Sequence, residues 1–120
     1  MKVDITGRNF EVEAKLRSYV EEKLGGLDKF IARSDQQAAH LAVVLEEDVS
    51  GREDNRFACD AVLRLPKQQL VAREGTVNMF AAVDIVEAKL TSQLSKYKAK
   101  HHEAVRRGKL LSKWMGQTTE

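Results

Sequence analysis

The chain has 120 residues, of which 42% are hydrophobic and 32% charged, and a single proline, a composition that excludes disordered and fibrous proteins. This length is that of one domain with one core. The formal net charge is only +2, but residues 89–113 hold eight Lys or Arg and one acid and so carry +7, which leaves −5 for the rest.

A strand followed by a helix is predicted at the start of the chain. Val3 and Ile5 alternate with charged residues up to Gly7, which is the period of a half-buried strand that ends at a turn. Asn9 is a residue type that caps helices, so we expect a helix after it that runs to about residues 24–30. Its buried face consists of apolar residues at helical spacing, namely Leu16, Val20, Leu24 and Leu27.

Three further strands are predicted between residues 40 and 75. Apolar residues alternate along residues 40–46, and the polar run at 46–55 indicates a loop. Alternation along residues 57–65 predicts the next strand, which ends at Pro66, and Leu70 and Ala72 belong to a last strand that Gly75 closes. The short turn between these last two strands implies an antiparallel hairpin.

The last predicted element is a long helix. We expect Thr76 to cap it, and no Gly or Pro interrupts it before Gly108. Spacings of three and four residues define its buried stripe, which is formed by Met79, Val83, Val86, Leu90, Leu94 and Tyr97. The order strand, helix, three strands, helix favours an α+β fold with both helices on one face of a four-stranded sheet. Residues 1–104 are expected to form this domain, and residues 105–120 a short tail.

A cationic ridge flanks the buried stripe of this long helix. It lies about 100° from the stripe by the helical period and consists of Lys89, Gln93, Lys96 and Lys100. After Glu87 the only acid along this helix is Glu103. Ion pairs between residues four positions apart can therefore neutralise few of the Lys charges on the ridge. An RNA phosphate backbone would neutralise them, because each contacting Lys or Arg releases counterions. Bases elsewhere in the chain that would widen this surface are Arg8, Lys15, Lys23, Arg56, Arg64 and Arg73.

Few residues indicate catalysis, metal binding or a membrane partner. Cys59 is the single cysteine, and its core-facing position predicts a buried structural thiol. His101 and His102 diverge by about 100° on a helix, which argues against a metal site, although their protonation near pH 6.5 would add positive charge beside Lys100. The longest apolar stretch, residues 41–45, is too short to cross a bilayer, and the first residues form a strand-like pattern rather than a leader. We therefore expect a cytoplasmic location.

Two segments resemble one known protein family. The run NMFAAVDIVEAKLTSQLSKYKAKH, residues 78–101, resembles the second helix of bacterial ribosome hibernation-promoting factors, also called ribosome-associated translation inhibitors. The opening run VDITGRNFEVEAKLRSYVEEKLGGLDKF, residues 3–30, is similar to the first strand and helix of that family. The strands between them fit its double-stranded-RNA-binding-like topology. The basic ladder of the family matches Lys89, Lys96, Lys98 and Lys100 in this chain.

The resemblance implies a function without catalysis or a cofactor. A member of this family is expected to bind the small ribosomal subunit and its ribosomal RNA, in the mRNA channel and over the tRNA sites. It would thereby inhibit translation and protect idle ribosomes during stress. Long members carry a further domain that pairs two ribosomes, whereas this chain resembles a short form. Ribosome pairing would then need a second hibernation factor.

The tail offers an alternative of another class. After Gly108, four apolar residues form one short patch, consisting of Leu110, Leu111, Trp114 and Met115. This patch can fold back onto the domain, or it can serve self-association or a partner protein. A protein-interaction or dimerisation module that uses Leu110 and Trp114 therefore stays open beside the RNA-binding interpretation.

Overall fold

The fold is known from a computed structural model that describes the backbone of residues 1–50 and 52–115 and the side chains of residues 1–50, 52 and 54–97. It contains four strands and three α-helices in this described part. They are β1 (Lys2–Arg8), α1 (Ala14–Gly25), α2 (Arg33–Gln36), β2 (His40–Glu47), β3 (Phe57–Arg64), β4 (Gln69–Thr76) and α3 (Met79–Met115). Two 3₁₀ turns accompany them, at Gly26–Phe30 and Glu53–Asn55.

The four strands form one mixed sheet in the order β1-β2-β3-β4. β1 and β2 run parallel, since α1 carries the chain back across the sheet between them. β2, β3 and β4 pair antiparallel, and β3 and β4 form the predicted hairpin. The predicted α+β order is confirmed. The first predicted helix corresponds to α1 and the 3₁₀ turn Gly26–Phe30, whereas α2 and the turn Glu53–Asn55 are additions that the sequence pattern did not indicate.

Both long helices pack on the same face of this sheet, as predicted. The inward residues of the strands alternate in sequence, because successive side chains of a strand point to opposite faces. Leu41, Val43 and Leu45 of β2 show this period, and each has at most 1% of its surface exposed. They join one core with α1 and α3, which contribute Leu16, Val20, Leu24, Met79, Ala82, Val83, Val86, Leu90 and Leu94.

Both helix starts differ from the sequence prediction. Asn9 does not cap α1; it has a φ of 52° in the turn after β1, and α1 begins five residues later, after Glu13. That turn is tight, since the carbonyl oxygen of Phe10 fills the space that a Cβ on Gly7 would need. At α3, the side chain of Asn78 rather than Thr76 accepts a hydrogen bond from the Phe80 N–H, at 2.8 Å.

The helix α3 continues beyond the sheet. Its backbone remains helical through Gly108 to Met115, because one helical Gly costs only about 1 kcal/mol relative to Ala. The division at residue 104 stays a prediction, and the side chains of Leu110 and Trp114 lie outside the described residues. None of the described helices combines the length and the apolar character needed to span a bilayer.

Candidate nucleic-acid interface

The buried stripe of α3 fixes which of its faces is available for binding. Met79, Val83, Val86, Leu90 and Leu94 are all buried, and Tyr97 packs against the edge of the same core. This confirms the stripe that the spacing predicted. Because the helix cannot rotate without exposing these residues, the ridge of Lys89, Gln93 and Lys96 is held beside β4.

Two members of that ridge bond to the free edge of the sheet. β4 is an edge strand, so the outer carbonyl groups of Val71 and Arg73 have no strand partner. Gln93 Nε2 donates to the carbonyl oxygen of Val71 at 2.9 Å, and Lys89 Nζ donates to that of Arg73 at 3.0 Å. Lys89 Nζ also lies 3.5 Å from the carboxylate of Glu74. Lys89 and Gln93 therefore fasten α3 to β4, a role that the sequence did not indicate.

Lys96 continues the ridge at the end of the sheet. The hydrogen bonds of Lys89 and Gln93 show that α3 runs antiparallel to β4. Lys96 lies three residues beyond Gln93, about 4.5 Å along the helix, and so comes toward the level of Gln69 on β4. Gln69 pairs with Arg64 across the hairpin. Both Arg64 and Lys96 are exposed, and neither forms an ion pair among the residues whose side chains are described. The side chains of Lys98 and Lys100 lie outside those residues.

Three of the other predicted bases share the outer face of the sheet. Arg8, Arg64 and Arg73 all point away from the helices, in register with the outward residues of β2 and β3. Arg73 pairs with Asp60 and lies 3.6 Å from Glu46, and Arg8 lies 3.9 Å from Glu46. Arg64 thus differs from Arg8 and Arg73, whose charges are partly neutralised by neighbouring carboxylates. We call Arg64, Arg73, Lys89, Gln93 and Lys96 together the β4-edge surface.

The remaining predicted bases lie apart from the β4-edge surface. Arg56 contacts the carboxylate of Glu47 through two nitrogens, at 2.6 and 2.8 Å, in the loop before β3. Lys15 lies at the start of α1 and lines a groove with Glu11 and Glu13.

One exposed base was not among the predicted ones. Lys67 lies in the β3–β4 turn and is exposed. Its place in the predicted hairpin turn, close to Arg64 in the sequence, could have indicated it as a binding residue.

Lys23 belongs to a polar cluster that joins α1 to α3. It lies 3.9 Å from the carboxylate of Asp84 and 3.8 Å from that of Glu87, so both acids lower its availability to phosphate. The Tyr19 hydroxyl donates to Asp84 Oδ1 at 2.5 Å, and this bond raises the pKa of Tyr19 to about 12. These contacts of Lys23 and Tyr19 consequently connect α1 to the first turns of α3.

The described residues hold no arrangement typical of an active site. Burial raises the pKa of the Cys59 thiol to about 12, so the thiolate needed of a nucleophile does not form near neutral pH. Within the described residues, no three His, Cys, Asp or Glu side chains lie close enough to share a metal ion. His101 and His102 lie outside the described side chains.

Comparison with known proteins identifies the family. Residues 3–102 match the family model described as sigma 54 modulation protein / S30EA ribosomal protein. The chain belongs to this S30EA family. The resemblance in residues 3–30 and 78–101 is thereby confirmed, because relatives in the same family carry the name ribosome hibernation promotion factor.

Those relatives differ in length. The hibernation promotion factor of Lactococcus lactis is 30% identical over 100 residues, which cover 83% of this chain and 51% of that protein. The Azotobacter vinelandii hibernation promoting factor is 31% identical over 103 residues, which cover 86% of this chain and 88% of that protein. The chain thus spans about half the length of the Lactococcus relative and most of the Azotobacter one.

Solved structures of two related proteins have the same fold. The N-terminal domain of Protein Y from Thermus thermophilus gives a TM-score of 0.67 at 24% identity, over 81% of this chain and 99% of that domain. A ribosomal subunit interface protein from Coxiella burnetii gives a TM-score of 0.66 at 25% identity, over 82% of this chain and 99% of that protein. The S30EA fold is therefore shared across most of the chain; its likeness to double-stranded-RNA-binding domains stays a prediction.

Proposed function

We propose that this S30EA protein is a cytoplasmic, non-catalytic hibernation factor that binds the small ribosomal subunit and inhibits translation. The proposal rests on the family match, together with the positive charges of Lys96 and Arg64 where α3 passes the β3–β4 turn. The names of the relatives support the hibernation role, and the charge supports a ribosomal RNA partner.

The interface we propose is centred on the part of the β4-edge surface that has no carboxylate partner. Lys96 and Arg64 contact RNA phosphates there, and Lys98 and Lys100 extend the contact along α3 as the family ladder implies. Lys89 contributes less, since one of its N–H groups is already bonded to β4, although its side chain remains 45% exposed. The secondary contacts are Gln93, Arg73 and Lys23. Arg8, Lys15 and Arg56 lie toward the other end of the strands, away from the β4-edge surface.

The mechanism we propose is occlusion. A rigid sheet with one long helix bound in the mRNA channel and over the tRNA sites excludes both substrates by volume alone. Phosphate contacts and shape are sufficient for such binding, because no base sequence has to be read.

Co-sedimentation with isolated ribosomal subunits tests the partner and its chemistry. The full chain is expected to co-sediment with small subunits and not with large ones. Its affinity should fall as salt rises, since bound Lys and Arg release counterions from the phosphates. A single-stranded mRNA fragment bound beforehand should displace the protein if both occupy one channel. Binding to large subunits alone, or binding that salt leaves unchanged, would rule out the proposed interface.

A further inference from the structure

A groove opens at the end of the domain opposite the β3–β4 turn. It has a volume of about 430 Å³ and lies between the segment that enters α1, the first residue of β3 and the start of α3. Its apolar lining includes Phe10, Phe57, Met79 and Phe80. The rings of Phe10 and Phe57 meet edge to face, with their centroids 6.2 Å apart. The guanidinium of Arg56 already lies over the Phe57 ring, 5.8 Å from its centroid, whereas none of the described cations lies over the ring of Phe10. Phe10 is therefore the ring open to a further cation, at a site that the β4-edge surface does not use.

The polar rim of this groove is predominantly acidic. Glu11 and Glu13 are exposed and line it, and in the described part of the chain neither lies within ion-pair distance of a Lys or Arg. Lys15 also lines the groove, so it offsets one of the two negative charges. The nearby loop reinforces the sign of the charge, because residues 46–56 hold five acids and two bases. Arg56, one of those bases, is already paired with Glu47.

The start of α3 does not reverse this charge. A helix N-terminus attracts anions through its free N–H groups, but the Phe80 N–H is bonded to Asn78 Oδ1 at 2.8 Å. Unpaired carboxylates beside it also repel a phosphate. The groove therefore disfavours RNA, unlike the opposite end of the domain.

We propose that this groove binds a positively charged peptide segment of a protein partner. An Arg or Lys side chain of such a segment lies against the ring of Phe10, and its charge is balanced by Glu11 and Glu13. Aromatic faces attract cations through their quadrupole, and a guanidinium also stacks on them while it donates to carboxylates. The groove and such a peptide are thus complementary both in charge and in aromatic surface. This binding does not depend on whether the chain binds ribosomes.

Titration of the ¹⁵N-labelled full chain with short peptides tests this assignment. A peptide of alternating arginine and glycine is expected to shift the amide resonances of residues 10–16 and 77–80. The double variant Glu11→Gln/Glu13→Gln should weaken the affinity about threefold to tenfold, the effect of two partly exposed charge contacts. The matched control is Glu21→Gln/Glu22→Gln, which removes the same charge from exposed positions of α1 and should bind as the wild type does.

Four results would overturn the proposal. The first is that the arginine peptide leaves these resonances unmoved, and the second is that a glutamate peptide of the same length moves them equally. The third is an equal loss of affinity in the two double variants, which would make the effect one of net charge alone. The fourth is that a hexamer of uridine occupies the groove in place of the peptide, which would assign this end to RNA.

Discussion

Single side chains show why a charge pattern alone overestimates the free charge of this protein. Lys89 looks unpaired along α3, yet its nearest acid is Glu74 on β4, fifteen positions earlier in the chain. Tyr19 and Asp84 are 65 positions apart and form a 2.5 Å hydrogen bond. Such partners depend on the register of α3 against β4 and α1, and no local spacing in the sequence encodes that register.

The Tyr19 hydroxyl should make stability sensitive to alkaline pH. Its pKa is raised from 10.0 to about 12 by the bond to Asp84, so its contribution to the free energy of unfolding is complete below pH 10 and disappears as the pH approaches 12. Urea unfolding at several pH values should therefore show a steeper fall in this range for the wild type than for Tyr19→Phe. Parallel curves would contradict the bond. Cys59, whose pKa is also about 12, is present in both proteins and cancels in the difference.

Two glycines should respond in opposite directions to the same substitution. Gly7→Ala should destabilise the domain by about 1–3 kcal/mol, because a Cβ there meets the carbonyl oxygen of Phe10 and the turn has to shift. Gly26→Ala should stabilise it by about 0.4–1 kcal/mol, since the site is open and its φ of −66° suits alanine. Thermal and urea unfolding of both variants measures the difference. Equal effects would mean that the turn after β1 is not tight.

At the scale of elements, the buried stripe of α3 and the alternation of the strands could be predicted because each depends on a local period. Residues 40–46 and 57–65 were expected as strands, and the observed β2 and β3 agree within one residue at each end. The ends of helices were less predictable. Asn78 caps α3, whereas Asn9, the same residue type, lies in the turn after β1. The chain packs tightly at Gly7 in that turn, and a local sequence pattern does not show such packing.

The contact of α3 with the edge of β4 should contribute measurably to stability. Lys89→Met keeps the apolar stem and removes the donor to the carbonyl oxygen of Arg73, so we expect a loss of about 0.5–1.5 kcal/mol. Lys96→Met is the matched control, and its exposed position should keep the change within about 0.5 kcal/mol. Both values follow from urea unfolding at neutral pH. Indistinguishable variants would show that the Lys89 bond is replaced by water without cost.

Within the residues whose side chains are described, the two ends of the sheet differ in charge. Acidic residues surround the loops after β2 and before α1, whereas Lys2, Arg64, Lys67 and Lys96 lie at or near the other ends of the strands. The concentration of bases in the last quarter of the chain was visible in the sequence. Which bases remain free was not, because Arg8, Arg56 and Arg73 obtain carboxylate partners only when the sheet forms.

Charge reversal of the bases beside the β3–β4 turn tests the proposed RNA interface most directly. Arg64→Glu/Lys96→Glu should weaken binding to small ribosomal subunits at least about tenfold and reduce the dependence of log affinity on log salt by about two. The matched control, Arg17→Glu/Arg52→Glu, makes the same change in net charge at exposed positions away from this turn and should retain most of the wild-type affinity. Circular dichroism should show all three proteins folded. Equal loss in the two variants, or undiminished binding by Arg64→Glu/Lys96→Glu, would contradict the assignment.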